Sequence, residues 1–304
     1  MNFNTISGGK YSFIDEPELR NIIRQAGRKN IIFVEGYDDE VIYKILDEDY
    51  LDEDYLDELY FIDTGFTVEK AISGSETTKT GNCEMVKKYL SDFVQHLPEE
   101  KRFYGVIDRD LKTDQEVKDE KNKACYDGRL FIFFERYTLE NYFIEPDILC
   151  DFLTGKSASN KKLISILDKE KLKEEIIDPI LICLASIAAA NLTIRHFDSS
   201  KEFLNYNVPC KDIKSITVQI LNKPQEHDDI LLKFSNFKKQ LIQNNETQKF
   251  ASTKTYFSYQ FNIKLQEKTR VNIQLNNHKS ELARILKNKG LPREFHDLLN
   301  LIKS

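Results

Sequence analysis

Acidic residues recur where apolar runs of this sequence stop. Ile31-Ile32-Phe33-Val34 ends at Glu35-Gly36, and Phe103-Tyr104-Gly105-Val106-Ile107 runs into Asp108-Arg109-Asp110. A short apolar run stopped by glycine or acids reads as a strand buried on both faces. In open α/β sheets, sites form beyond the carboxyl ends of such strands. Asp108 and Asp110 are two residues apart, so on an extended chain both carboxylates face the same way. Asp39 follows Glu35 by four residues, and in the first turn of a helix beginning near Asp38 it can return to the same strand end. Asp38 and Asp39 also suit a second use, as acids that a helix N-terminus favours. Clustered carboxylates repel one another and keep their charge with a cation between them. Oxygen donors of this kind suit Mg²⁺ or Mn²⁺ better than zinc.

Elements must bring these residues together. Pro17, at a first-turn position, with Leu19, Ile22 and Ile23 on one face, predicts a short helix before residue 30. Val41, Ile42, Ile45 and Leu46 predict a second helix. Residues 59–62 predict a second strand, and Met85, Val86, Tyr89, Leu90, Phe93 and Val94 a third helix. Phe103–Ile107 and Leu130–Phe134 predict the remaining strands. This alternation predicts a Rossmann-like parallel sheet with flanking helices. After Pro146 helical periodicity dominates 161–177, 179–194 and 228–243, and a helix from about 279 ends at Gly290. Phe257, Tyr259, Phe261, Ile263 and Leu265 alternate and predict one strand. The expected organisation is an α/β domain over 1–145 and a mostly α-helical domain over 146–304.

Charge divides along the same line. Residues 1–150 carry 19 Lys+Arg against 33 Asp+Glu, a net of -14, which leaves +8 for residues 151–304. An acidic front and a basic back suit a carboxylate site joined to a surface that attracts polyanions, and equally two ordinary solvated surfaces. The basic candidates include Lys233, Lys238, Lys239, Lys249, Lys254, Lys264, Lys268 and Arg270. The five cysteines are far apart with no CxxC pair, which speaks against a disulfide framework or a zinc knuckle. Ile180–Leu192 is too short for a membrane span and reads as a buried helix. With no signal-like N-terminus, cytoplasm is the expected location.

A five-residue tandem repeat, Leu46-Asp47-Glu48-Asp49-Tyr50 and Leu51-Asp52-Glu53-Asp54-Tyr55, matches neither the helix nor the strand period. It reads as a solvated acidic extension, a cation site or a docking knob. Gly74–Thr80 lacks the Gly before Lys of a phosphate loop, so nucleotide-driven control would need a partner. No GxSxG motif or Cys–His pair supports a hydrolase triad.

Ile32–Asp39 together with Gly105–Asp110 resembles the TOPRIM fold shared by topoisomerases, primases and OLD-family nucleases. The later Phe134-Glu135-Arg136-Tyr137-Thr138-Leu139-Glu140-Asn141-Tyr142 resembles the OLD-like TOPRIM proteins of bacterial anti-phage systems, above all the TOPRIM effector subunits of PARIS systems. The motifs span roughly residues 30–145. The resemblance implies a metal-dependent nuclease in which Glu35 is base or ligand and Asp108 and Asp110 hold Mg²⁺. Asp39 corresponds to a second acid, shorter here than the family's Glu. Glu140 is a further ligand or a helix-start acid. A late lysine near the metals is also implied, and Lys279 is its candidate beside the reading of a solvated lysine. The family further implies a toxic effector that cuts RNA such as tRNA, restrained by an ATPase sensor and active as a homodimer. The rival reading is a TOPRIM-like module that binds nucleic acid or a partner without cutting.

Overall fold

The computed structural model describes residues 16–47, 59–64, 82–204, 210–252, 254 and 256–303. The acidic repeat from residue 48 onward and Gly74–Thr80 lie outside them. Two compact units are formed. One contains Met1–Ile107, Lys118–Ile132 and Phe295–Ser304, and the other Asp108–Val117 and Phe133–Glu294. The chain passes between them several times, so this division is distinct from the composition change near residue 146.

The first unit is built on four parallel strands: β1 (Asn30–Val34), β2 (Leu59–Asp63), β3 (Phe103–Ile107) and β4 (Leu130–Ile132), in the order β2-β1-β3-β4. Helices α1 (Glu16–Ala26), α2 (Tyr37–Asp47) and α3 (Asn82–His96) pack against the central strands. The apolar runs are buried as continuous runs should be in a covered parallel sheet: β3 has no exposed residue. Chain order reverses between β1 and β3, which makes their carboxyl ends the switch point where α/β folds place ligands.

Phe33 of β1 stacks on Tyr89 of α3 at 5.1 Å, with Phe93 beside it at 5.6 Å. Close approach of α3 depends on Gly105. A Cβ there would stand 2.9 Å from Val86 Cγ1 and 3.3 Å from both Leu90 and Leu130. The closing helix (Arg293–Lys303) supplies residues 295–303 to this unit, where the Tyr104 hydroxyl donates to the Ile302 carbonyl at 3.2 Å and Phe295 packs near Tyr43.

The second unit is helical. Its described helices include α4 (Asp114–Lys121), which continues into the first unit, then α5 (Pro146–Ser157), α6 (Lys169–Leu172), α7 (Asp178–Phe197), α8 (Ile213–Leu221), α9 (His227–Gln243), α10 (Thr247–Phe250), α11 (Tyr256–Thr269) and α12 (Lys279–Lys289). A single π-helical turn, Lys173–Ile177, joins α6 to α7. By length and composition this continuous stretch could cross a membrane, but 67% of its most apolar window is buried inside the protein. Packing against α8, α9, α10 and α11 accounts for that burial, as expected for Ile180–Leu192.

Two expectations are corrected here. Residues 257–265 form helix α11 rather than a strand. Phe257, Phe261, Leu265 and Thr269 recur every four residues and are buried, whereas Tyr259 is exposed. Every second apolar residue of the alternation therefore also fits one helix face. The dispersed cysteines also contain one pair: Cys183 and Cys210 form a disulfide, with Cα atoms 5.7 Å apart. Sequence spacing is blind to a contact made across 27 residues.

Gly105→Val should lower unfolding free energy by about 1–3 kcal/mol through overpacking against α3. Urea unfolding followed by circular dichroism measures it, and an unchanged midpoint would mean that α3 yields without cost.

Candidate functional site

In the first unit the chain leaves β1 at Glu35, which is half-buried, and turns at Gly36 into α2. The Gly36 carbonyl accepts from the amides of Asp39 and Glu40, both at 3.1 Å. Asp39 Oδ2 lies 3.8 Å from where a Gly36 Cβ would stand, so its carboxylate folds back toward the strand end as its place in the first turn predicts. Asp63 pairs in register with Val34, and the buried Thr64 hydroxyl donates to the Val34 carbonyl at 3.0 Å. These two residues anchor the carboxyl end of β1, and spacing within the sequence does not reveal them.

In the second unit Asp108 is the first residue past β3. Its Oδ1 accepts the Leu139 amide at 3.2 Å. Asp110 adopts a left-handed φ of 55°, donates its amide to the Tyr137 carbonyl and pairs with Lys112 at 3.2 Å. The chain is therefore not extended through Asp110, and the alternation argument for parallel carboxylates does not carry over to this turn. Arg109 between them has 0% exposure. It pairs with Asp114 at 2.6 Å and lies over the rings of Phe134 and Phe250. Lys249 adds a second cation to Asp114 at 2.8 Å. Burial alone would raise the Asp114 carboxyl, but Lys249 and Arg109 hold it below its ordinary value.

The Leu139–Ile144 segment is a buried 3₁₀ turn in which consecutive residues take separate tasks. The Leu139 amide holds Asp108. Asn141 donates to the carbonyls of Gln248 and Ala251 at 2.7 and 2.8 Å, while its own oxygen accepts from Thr138. Tyr142 donates to Glu294, whose carboxylate also accepts the Phe134 and Glu135 amides.

Glu140 is buried, and its Oε1 meets Lys279 Nζ at 2.9 Å and Lys254 Nζ at 3.2 Å. Its Oε2 has no hydrogen-bond partner among the described residues. A small cleft beside it is lined also by Ser258 and Asn276. Burial pushes the Glu140 carboxyl up, yet Lys254 and Lys279 bring it below its ordinary value. Lys279, at the start of α12, is thus joined to Glu140 across 139 residues of sequence. The reading of a solvated lysine does not describe it.

Glu35 and Asp39 therefore stand in one unit, and Asp108, Asp110, Glu140 and Lys279 in the other. The donor chemistry fits a hard divalent cation, and Glu140 contributes a buried oxygen to spare. Among the described residues, no three His, Cys, Asp or Glu side chains are gathered closely enough to hold an ion. Spacing gave no hint that Lys254 meets Glu140 or that Lys249 meets Asp114, because each is a long-range contact. No protein-family model, curated protein or solved structure matches the chain.

A depressed folded pKa makes the Glu140 contribution to stability complete above the unfolded carboxylate value of about 4.3, and lost as pH falls through the lower folded value. Replacing both Lys254 and Lys279 by Met should cost about 3–5 kcal/mol at neutral pH, the penalty of a buried unpaired carboxylate. Adding Glu140→Gln should recover much of that loss. Urea unfolding of the three proteins decides the matter: an unrescued triple variant would mean that packing, not charge, sets the cost.

Proposed function

We propose that this chain is a metal-dependent endonuclease of the OLD-like TOPRIM type. Its substrate would be RNA such as tRNA. It would act as the toxic effector of an anti-phage system, held inactive by an ATPase sensor and working as a homodimer. One observation carries the reading. The residue leaving β3, Asp108, is held by the Leu139 amide, and the adjacent Glu140 pairs with Lys279, so three separate pieces of the sequence pattern meet in one constellation.

In this proposal Asp108 and Asp110 are metal ligands, Glu35 is ligand or base, Asp39 is the second acid and Glu140 a further ligand. Bound Mg²⁺ or Mn²⁺ would supply Lewis-acid activation of water and neutralise charge on the phosphodiester. The Leu139 amide orients Asp108 before substrate arrives. Lys279 and Lys254 offer ammonium groups to a phosphate oxygen, and Glu140 holds both in position until then.

The binding-module reading also has an observation in its favour. Glu140 already carries two lysine partners, and no three-ligand group is gathered among the described residues.

Cleavage of total RNA and plasmid DNA in Mg²⁺ separates the two. The parent should cut, and Asp108→Asn, which removes a charge but keeps shape, should fold normally and cut about 10³-fold more slowly, the scale of several kcal/mol of transition-state stabilisation. Expression without a partner should slow growth, and Glu35→Ala should relieve it. No cleavage by the parent, or equal toxicity of both proteins, would favour the binding module.

A further inference from the structure

Helix α9 turns two different faces outward and inward. Ile230, Phe234 and Leu241 form its buried side. Lys233, Asn236, Phe237, Lys239, Gln240 and Gln243 line a concave surface of about 370 Å³. Asn236, Phe237, Gln240 and Gln243 recur at three- and four-residue steps, so they share one stripe with Lys233. That surface offers two ammonium groups, three carboxamides and one aromatic ring, and no carboxylate. From Leu231 to Gln243 the helix contains three lysines and no acid. Lys233 Nζ lies 5.0 Å from the centroid of the Phe237 ring, and His196 meets the same ring edge-on.

We propose that this face of α9 is a docking groove for an unpaired nucleic-acid strand. Each chemical component has a counterpart in such a strand. Ammonium groups neutralise phosphates and release counterions. Carboxamides both donate and accept, as base edges and ribose hydroxyls require. Phe237 offers a ring on which a base can stack, and stacking is tolerant of sequence. The inference rests on the nuclease reading only in naming the strand as substrate. Docking itself requires no metal.

Lys238 is a basic candidate by sequence alone, but its place on the helix takes it off this surface, and it therefore supplies the control. At 3.6 residues per turn it is rotated about 140° from Lys233, away from the groove and beside the buried face. It carries the same charge on the same helix and does not line the concave surface.

The test uses the full chain in EDTA, so that binding is read without cleavage. Labelled oligo(U) and oligo(dT) of about 20 nucleotides are titrated by fluorescence anisotropy. Sodium chloride is varied from about 50 to about 200 mM. The Lys233→Glu/Lys239→Glu double variant should bind at least about tenfold more weakly than the parent, with a salt slope shallower by about 1.4, since each single-strand phosphate contact contributes about 0.7. Phe237→Leu should weaken binding about tenfold and leave the slope unchanged. Lys238→Glu should change affinity by less than about threefold. Equal binding of both strands assigns the groove to backbone and stacking, and preference for oligo(U) adds a ribose contact; either supports the proposal. If the parent binds neither strand, or if Lys238→Glu matches the double variant, the groove is not the docking site. Because metal is absent, the proposal survives a failure of the Asp108→Asn test and can fail while that test succeeds.

Discussion

A guanidinium with no exposed surface has to be compensated where it lies, and Arg109 is such a group. Its burial fixes the turn after β3. Asp114 supplies a carboxylate, the Phe134 carbonyl accepts another guanidinium hydrogen, and the rings of Phe134 and Phe250 cover its faces. Because Arg109 is taken inward, its neighbours Asp108 and Asp110 remain only partly buried. The partly buried acids and the buried cation are therefore two consequences of one chain reversal. Arg is suited to this place because its planar group can stack and hydrogen-bond together, which the compact ammonium of Lys cannot reproduce.

The second buried charge, Glu140, is solved by the opposite arithmetic. One carboxylate receives two ammonium groups and keeps an oxygen without a described partner. Around Asp114, likewise, two cations share one anion. The Glu140 cluster leans positive, while around Asp114 Lys249 also reaches Glu246 at 4.0 Å. Lone buried carboxylates would protonate. With two cations each, the buried Glu140 and the partly exposed Asp114 are held below their ordinary pKa.

Much of this was legible in the residues, and what was not has a common cause. The strands of the sheet were readable because buried parallel strands are continuously apolar, and the acids after β1 and β3 followed from where those runs stop. Asp39 was readable because a helix turn has a fixed return. Helix α11 reads as a strand in the sequence because Phe257, Phe261 and Leu265 satisfy a period of two and a period of four at once; Tyr259, apolar in type but exposed, is what breaks the tie. The pairings of Lys254 with Glu140 and of Lys249 with Asp114 are hidden because the distance between partners along the chain carries no information about their distance in space. The same holds for Cys183 and Cys210. Only the family resemblance points to Lys279, since a lysine before a helix has no local signature of its partner.

The charge division of the sequence has to be read with the screening length in mind. At physiological salt, exposed charges interact over only about 8 Å. A net of -14 over the first 150 residues therefore repels a polyanion mainly where those acids lie, and the +8 of the remainder attracts one only where lysines are gathered without acids between them. The concave face of α9 meets that condition, with Lys233 and Lys239 and no carboxylate. Lys249, by contrast, spends its charge on Asp114 and the ring of Phe134, and Lys268 spends its own on Glu175. Counting lysines overstates the attractive surface, because a paired lysine presents little field to solvent. The local composition of a face, rather than the net charge of a half, decides where a phosphate backbone can be held.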